Sequence, residues 1–201
     1  MNTWILRSIV YTAGLIILSF GVSLLITADL GVGPWDALFV GLSTTIGLTA
    51  GSWIFIIGIM LIIINAFLLE RKPDLPAVAT IFLLGLLLDF WLLFVFSNVT
   101  LSSFSLQLFL LFSGVMLMAV GISLYLQAGF AKNPIDNLMI AFQYRTGKSL
   151  NVSKTILEFI ALTAAFIFSG PIGLGTLIIA FSIGPLIQVF YPPFEKRFCF
   201  S

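Results

Sequence analysis

The residues with the most potential for chemistry are three aspartates in otherwise apolar surroundings. Asp36 and Asp136 each follow a proline by two positions, in "GVGPWDAL" and "AKNPIDNL", and Asp89 lies within "LLGLLLDFWLLF". A carboxylate among apolar residues is costly unless it faces a partner, a cavity or a bound cation. We therefore take these aspartates as candidates to bind a proton, a cation or a polar solute.

Three arrangements are open for the two segments that contain a proline followed by an aspartate. Each aspartate could simply cap a short helix, where a carboxylate in the first turn stabilises by about 0.3–1 kcal/mol. The two helices could instead dip into the bilayer as re-entrant elements whose starts line a solute or ion site, or lie flat at the membrane surface. The candidate site residues are Gly31, Gly33, Pro34, Trp35 and Asp36 in the first segment and Asn133, Pro134 and Asp136 in the second.

Two further acids need separate interpretations. Asp89 has no charged residue within ten positions on either side, so it is a candidate for a proton, cation or solute contact. The alternative is a carboxyl group that forms a hydrogen bond with Ser or Thr on a neighbouring helix. Glu158 is a secondary candidate, because it lies four residues after Lys154 and an ion pair within one helix explains it more simply.

Other reactive side chains are scarce. The chain has no histidine and a single cysteine, Cys199, which excludes histidine-based triads, histidine or cysteine metal centres and an internal disulfide. The formal net charge of +1 comes without a basic stripe, so nucleic acid is not an expected partner. We predict no enzymatic activity, no metal site and no cofactor.

The elements that must position these residues are membrane-spanning helices. Of the 201 residues, 60% are hydrophobic and only 8% are charged, whereas a soluble domain has about 25% charged residues. A helix needs roughly 20 apolar residues to cross about 30 Å of hydrocarbon. The sequence therefore predicts an all-α polytopic protein with a single membrane domain over 1–201. The predicted spans are 6–28, 52–69, 76–96, 105–128, 153–169 and 174–192, with short helices at 34–46 and 134–146.

The distribution of Lys and Arg predicts the orientation. We interpret the first apolar run as a retained span, because it is longer than the 7–15 residues of a signal-peptide core. Six spans with both termini in the cytoplasm place all nine Lys and Arg residues on the cytoplasmic side, since 29–51 and 97–104 contain none. If either short helix crossed the membrane fully, this agreement would be lost.

The chain contains an internal repeat with an offset of 100 residues. Segment 14–47 aligns with 114–147 without a gap, and the proline, aspartate and leucine of the short helices coincide, as do several glycines. The paired glycines within each first span also predict close helix packing. With repeats over 1–100 and 101–201 and three spans in each, the second copy is inverted relative to the first. Inverted repeats recur among secondary transporters.

With this layout, "ADLGVGPWDAL" and the following "GLTAGSW" resemble the YczE/YyaS/YitT family of bacterial membrane proteins. The resemblance extends over nearly the whole chain and is strongest to the YczE-like branch. It implies a bacterial cytoplasmic membrane protein. It implies no biochemical activity, because the family provides no catalytic residues that could be assigned to this chain.

The first functional hypothesis is a transporter or permease for an unknown small solute, with a central site between the inverted repeats. The second is a membrane interaction or regulatory subunit that acts through a partner protein. Because 201 residues are few for a transporter acting alone, a homodimer or an accessory subunit is also expected. The lipid bilayer is the surrounding medium in every case.

Overall fold

The computed structural model describes residues 3–101 and 103–198, so Cys199 lies outside the described residues. Within them the chain forms eight α-helices, and a π-helical turn, Trp91–Val95, continues the fourth. The helices are α1 (Thr3–Ala28), α2 (Pro34–Thr45), α3 (Ala50–Leu69), α4 (Pro76–Phe90), α5 (Phe104–Gln127), α6 (Pro134–Thr146), α7 (Leu150–Ile167) and α8 (Leu174–Arg197).

Six of these helices are long and apolar enough to cross a membrane: α1, α3, α4 with its π-helical turn, α5, α7 and α8. This confirms the six predicted spans, and most boundaries agree within three residues. The predicted end at residue 192 is wrong, because α8 continues through Pro192 and Pro193 to Arg197. Prolines predict a helix end in water, but membrane helices tolerate them when neighbouring groups satisfy the freed backbone carbonyls.

The two short helices begin at the predicted prolines. α2 has 12 residues and α6 has 13, which at a rise of 1.5 Å per residue gives a length of about 18–20 Å. This is shorter than the roughly 30 Å of a hydrocarbon core. Neither helix is among the six that can span a membrane.

Helices α1 and α5 form the central contact of the fold, and glycines permit their close approach. A Cβ atom on Gly14 would lie 2.5 Å from the backbone nitrogen of Tyr125, and one on Gly121 would lie 2.4 Å from that of Leu18. Gly21 and Gly114 meet in the same way at the second crossing point. The predicted packing role of these glycines is confirmed.

The helix contacts can be arranged in two groups of four, although α4 packs more extensively on α3 than on α1 and one core cluster extends across both groups. In the first group α1 packs against α4 and α5, and α5 against α8; in the second α2 packs against α3 and α7, and α6 against α3 and α7. The main contact between the groups joins α3 to α4. Each group therefore combines two helices from the first half of the chain with two from the second.

The segment between α1 and α2 is held by backbone contacts. The backbone N–H of Val32 donates to the carbonyl oxygen of Pro171 at 3.1 Å. Gly31 has φ +100°, and a Cβ atom there would lie 2.4 Å from the backbone nitrogen of Gly173. Glycine is required at this position for both its conformation and its closeness to the loop before α8.

The segment between α5 and α6 is held by side chains instead. The hydroxyl groups of Tyr11 and Thr80 lie 2.5 Å apart and form a hydrogen bond with each other. The carbonyl oxygen of Ala131 lies within hydrogen-bond distance of both, at 3.2 and 3.3 Å, and accepts from the hydroxyl whose hydrogen is not used between the two. This segment therefore depends on α1 and α4, both from the first half of the chain.

Candidate functional site

A cavity of about 250 Å³ lies at the centre of the molecule, and all eight helices contribute to its lining. Asp36 from α2 and Asp136 from α6 both line it, so the starts of the two short helices reach one space. Most of the remaining lining side chains are aliphatic. The polar, charged or aromatic members besides the two aspartates are Ser19, Trp35, Phe39, Tyr125, Asn133, Lys154 and Glu158.

Asp36 is the unpaired carboxylate of this cavity. Helix α2 begins at Pro34 after Gly33, which has no side chain to cap it, and both residues line the cavity. Asp36 lies in the first turn of α2, and among the described residues no group donates a hydrogen bond to its carboxylate. Burial raises the pKa of Asp36 to about 7, because an unpaired charge is poorly solvated inside the protein.

Trp35 contributes a second polar group without a partner. Its indole Nε1 is buried and forms no hydrogen bond within the described part of the chain, although most buried N–H groups do. The residue lines the same cavity as Asp36. The Trp35 ring also packs against the apolar side chains around the cavity.

Asp136 has a different environment from its counterpart. The hydroxyl of Tyr125 donates to its carboxylate at 2.6 Å, and Asn133 caps α6 by accepting from the backbone N–H of Ile135 at 3.1 Å. Burial raises the pKa of Asp136, while the Tyr125 hydrogen bond and the positive charges of Lys132 and Lys154 oppose that rise. This carboxylate is already satisfied.

Tyr125 is the functional side chain that sequence reasoning missed. It occupies the position of Leu25 in the repeat and is almost fully buried. The sequence feature that could have indicated it is a residue with a hydroxyl group inside an apolar span, 11 residues before Asp136. That spacing acquires meaning only when α5 and α6 fold back on each other.

Lys154 and Glu158 form the expected ion pair within α7, with a distance of 3.6 Å between Nζ and Oε1. Both side chains line the central cavity. Their repeat positions on α3 are Ile54 and Gly58, which line it as well. On the side of the cavity formed by α7, the second half of the chain therefore has one positive and one negative side chain where the first half has Ile54 and Gly58.

Asp89 does not lie at the cavity. Its carboxylate accepts hydrogen bonds from the Thr49 hydroxyl at 2.5 Å and from the Gly51 backbone N–H at 2.9 Å. It thus joins α4 to the start of α3, which matches the alternative of a partner on a neighbouring helix. Of the three aspartates, Asp36 and Asp136 line the cavity and Asp89 does not.

Two further candidates contribute to packing. Gly31 contacts Gly173 and the side chain of Thr176 rather than the cavity. Pro134 is buried, and its carbonyl oxygen accepts from the Asn65 side-chain amide at 2.8 Å. Within residues 3–101 and 103–198 no three His, Cys, Asp or Glu side chains are grouped as a metal site would require.

The family model for a family of unknown function, DUF6198, matches residues 5–192. The chain belongs to this family. Within the family it is 41% identical to the uncharacterized protein YyaS of Bacillus subtilis, and the match covers 94% of both chains. The uncharacterized membrane protein YczE of the same organism is 35% identical, over 94% of this chain and 86% of YczE.

A third relative in Haemophilus influenzae, an uncharacterized protein, is 30% identical over 90% of this chain and 84% of its own length. No solved structure matches the chain. Membership confirms the resemblance to the YczE/YyaS family. Together with the six apolar helices, the name of YczE supports a multi-pass membrane protein. Neither the family nor the names of its members specify a solute.

Proposed function

We propose that this DUF6198 protein is a small-solute transporter of the bacterial cytoplasmic membrane. It consists of two inverted three-span repeats, and the solute binds in the cavity between them. The observation that carries the proposal is the convergence of Asp36 and Asp136, from the two short helices, on one cavity. Helix ends near the centre of a membrane domain form substrate sites in repeat transporters.

The composition of the cavity wall supports a two-fold relation between the halves. Most lining positions occur in pairs separated by the offset of the repeat, or by one less after the loops that precede α4 and α8. The pairs are Leu18 and Met118, Val22 and Ile122, Gly33 and Asn133, Trp35 and Ile135, Asp36 and Asp136, Phe39 and Met139, Ile54 and Lys154, Gly58 and Glu158, Ile81 and Ala180, Leu84 and Ile183, and Leu88 and Ile187.

The backbone supports the same relation. Positive φ angles recur at matching positions, which are Asp29 and Gly129, Gly47 and Gly147, and Glu70 and Ser169. Thr49 and Ser149 each cap the following helix through the side-chain oxygen. The helix contacts also correspond, because α2 packs on α7 as α6 packs on α3.

We place both termini and all nine Lys and Arg residues in the cytoplasm. The ion pair between Arg145 and Glu70, at 2.8 Å, joins the ends of α6 and α3 on that side. In this orientation α2 enters from the outside and α6 from the cytoplasm, each as a re-entrant helix. Their irregular starting segments are acceptable at this depth because protein surrounds them.

Transport would use a movement of one group of four helices against the other. The cavity lies between the α1, α4, α5, α8 group and the α2, α3, α6, α7 group, which meet mainly along α3 and α4. A rocking motion about that contact would open the cavity to each side in turn, as in other inverted-repeat transporters.

Two-sided chemical labelling tests the proposal. Replacing Cys199, the single native cysteine, with serine gives a background for Met139→Cys in the cavity wall. We expect a small membrane-impermeant thiol reagent to label Met139→Cys from either face of oriented vesicles. Phe166→Cys, whose parent side chain is 78% exposed on the apolar outer surface of α7, serves as the matched control and should react from neither face.

Labelling of Met139→Cys from one face only would contradict alternating access. That result, together with a protein that co-purifies in mild detergent, would favour the second function, a regulatory subunit acting through a partner. The exposed apolar surface of the helices could contact either lipid or a partner protein. The transporter and the regulatory subunit are therefore distinguished by whether the cavity opens to both sides.

A further inference from the structure

The carboxylates of the central cavity are not equivalent in their availability to a ligand. Tyr125 donates to Asp136, and Lys154 pairs with Glu158. Asp36 alone among them has neither a hydrogen bond nor an ion pair within the described residues. A ligand that enters the cavity therefore meets, at the start of α2, a carboxylate that has neither a hydrogen bond nor an ion pair within the described residues.

The rest of the wall defines the body of that ligand. Aliphatic side chains from α1, α4, α5 and α8 surround the space, including Leu18, Ile81, Met118 and Ile183. Apolar walls of this kind bind apolar surface, and a few polar groups fix the orientation of the ligand. A strongly hydrated inorganic ion would lose its water shell here without receiving enough ligands in return.

Trp35 follows Pro34 at the start of α2 and lines the same cavity as Asp36. Indole rings attract organic cations, and quaternary ammonium groups in particular. An indole in the cavity wall beside a carboxylate therefore favours a ligand with a cationic centre and an apolar body.

A metal ion fits the site less well. No three acids or other metal-ligating side chains group together within the described ranges, and divalent cations require several oxygen ligands. An anionic solute would face the Asp36 carboxylate without a compensating positive charge.

We propose that the cavity binds a hydrophobic organic monocation, of the quaternary ammonium or protonated amine class, with its charged centre at Asp36. The inference rests on the proposed function in that it names the solute class of the same cavity. Asp136 and Tyr125, and Lys154 and Glu158, already pair with each other in the cavity wall.

Equilibrium binding to the purified protein in detergent at pH 8 tests this assignment. The probe is radiolabelled benzyltrimethylammonium, and the competitors are neopentylbenzene, its uncharged isostere, and phenylacetate, an anion of similar size. We expect saturable binding of one probe per chain that neither competitor displaces. Because this comparison uses the unmodified protein, it does not depend on the folding of a variant.

Two variants locate the charge. We expect Asp36→Asn to lower the affinity at least tenfold. Asp29→Asn, which removes a carboxylate seven residues earlier at an exposed position with φ 54°, should leave it within twofold, since asparagine tolerates that conformation. Unchanged affinity in Asp36→Asn, or equal competition by neopentylbenzene, would overturn the assignment.

The binding experiment and the labelling experiment test the solute class and the transport proposal separately. Two-sided labelling of Met139→Cys without saturable cation binding would reject the solute class and leave transport standing. Cation binding with labelling from one side only would reject transport and leave the binding site standing.

Discussion

Helices α3 and α4 pack closely against each other, whereas α7 and α8, which follow in the same order in the second half of the sequence, do not. We call the first interface the closed seam and the second the open seam. A Cβ atom on Gly51 would lie 2.1 Å from the carbonyl oxygen of Gly85, and Asp89 joins the two helices by hydrogen bonds. Helices α7 and α8 make no comparable contact. Gly184, at the position equivalent to Gly85, faces open space.

This difference arises from a few residues and not from topology. The positions of Gly51 and Gly58 on α3 are occupied by Asn151 and Glu158 on α7, which are too large for backbone contact. The closed seam therefore ties the two helix groups together, while the other leaves the cavity wall between α7 and α8 less tightly packed. In the transport account, we expect the closed seam to act as the hinge.

The largest expected effect comes from adding a methyl group to the closed seam. Gly51→Ala must push α3 from α4, and we expect a loss of about 3 kcal/mol in the free energy of unfolding. Thermal unfolding of the purified protein in detergent measures this. Gly184→Ala is the matched control in the open seam, where the added methyl group meets no atom within 4 Å outside its chain neighbours. Because Pro185 follows and opposes any gain in helix propensity, we expect stability to change by less than about 1 kcal/mol. Equal effects at both positions would show that the seams are packed alike.

Asp89→Ala should have the next largest effect. It leaves the backbone N–H of Gly51 and the Thr49 hydroxyl without their acceptor, which costs about 2 kcal/mol. Gln188→Ala, at the equivalent exposed position of α8, should change stability by less than about 0.5 kcal/mol. If Asp89→Ala retained stability but abolished cation binding, Asp89 would belong to the site after all.

The two halves also differ in the partners of their cavity carboxylates, and the pH dependence of binding should reveal it. Burial raises the pKa of Asp36 to about 7, so the carboxylate that attracts a cation is lost as pH falls through 7. We expect benzyltrimethylammonium to bind about tenfold more tightly at pH 8 than at pH 6. The other titratable groups facing the cavity are Asp136, Tyr125, Lys154 and Glu158.

Asp36→Asn should remove most of this pH dependence, whereas Asp29→Asn should retain it. A pH dependence of unchanged size in Asp36→Asn would assign the titration to another group of the cavity.

The smallest expected effect concerns the ion pair next to the open seam. Lys154 and Glu158 retain 31% and 23% of their side-chain exposure, so their attraction is partly screened. The double variant Lys154→Met, Glu158→Leu should change the free energy of unfolding by less than about 1 kcal/mol. A loss as large as that in Gly51→Ala would mean that the pair, and not close packing, holds the α7 side together.

Local features of the sequence were sufficient to predict which segments form helices. The length of each apolar run and the prolines at 34 and 134 located six spans and two short helices. Pro192 and Pro193 were misleading, because their effect on a helix depends on whether surrounding groups satisfy the backbone.

The candidate site was predictable only in part. The alignment of segment 14–47 with 114–147 identified Asp36 and Asp136 as a pair, because two matching segments can be recognised in the sequence without knowing the fold. The hydrogen bond from Tyr125, the contact of Asp89 with the start of α3 and the place of Glu158 at the cavity depend on how separate helices pack, and no local spacing in the sequence encodes that packing.

The central claim is that the two halves insert with opposite orientations, so that α2 and α6 approach one cavity from opposite sides. Reporter fusions at Gly47 and Gly147 test it most directly, because a side chain at either position would meet nothing within 4 Å. We predict an externally active reporter at Gly47 and a cytoplasmically active one at Gly147. Reporters on the same side would contradict the inverted repeat and the transport proposal that depends on it.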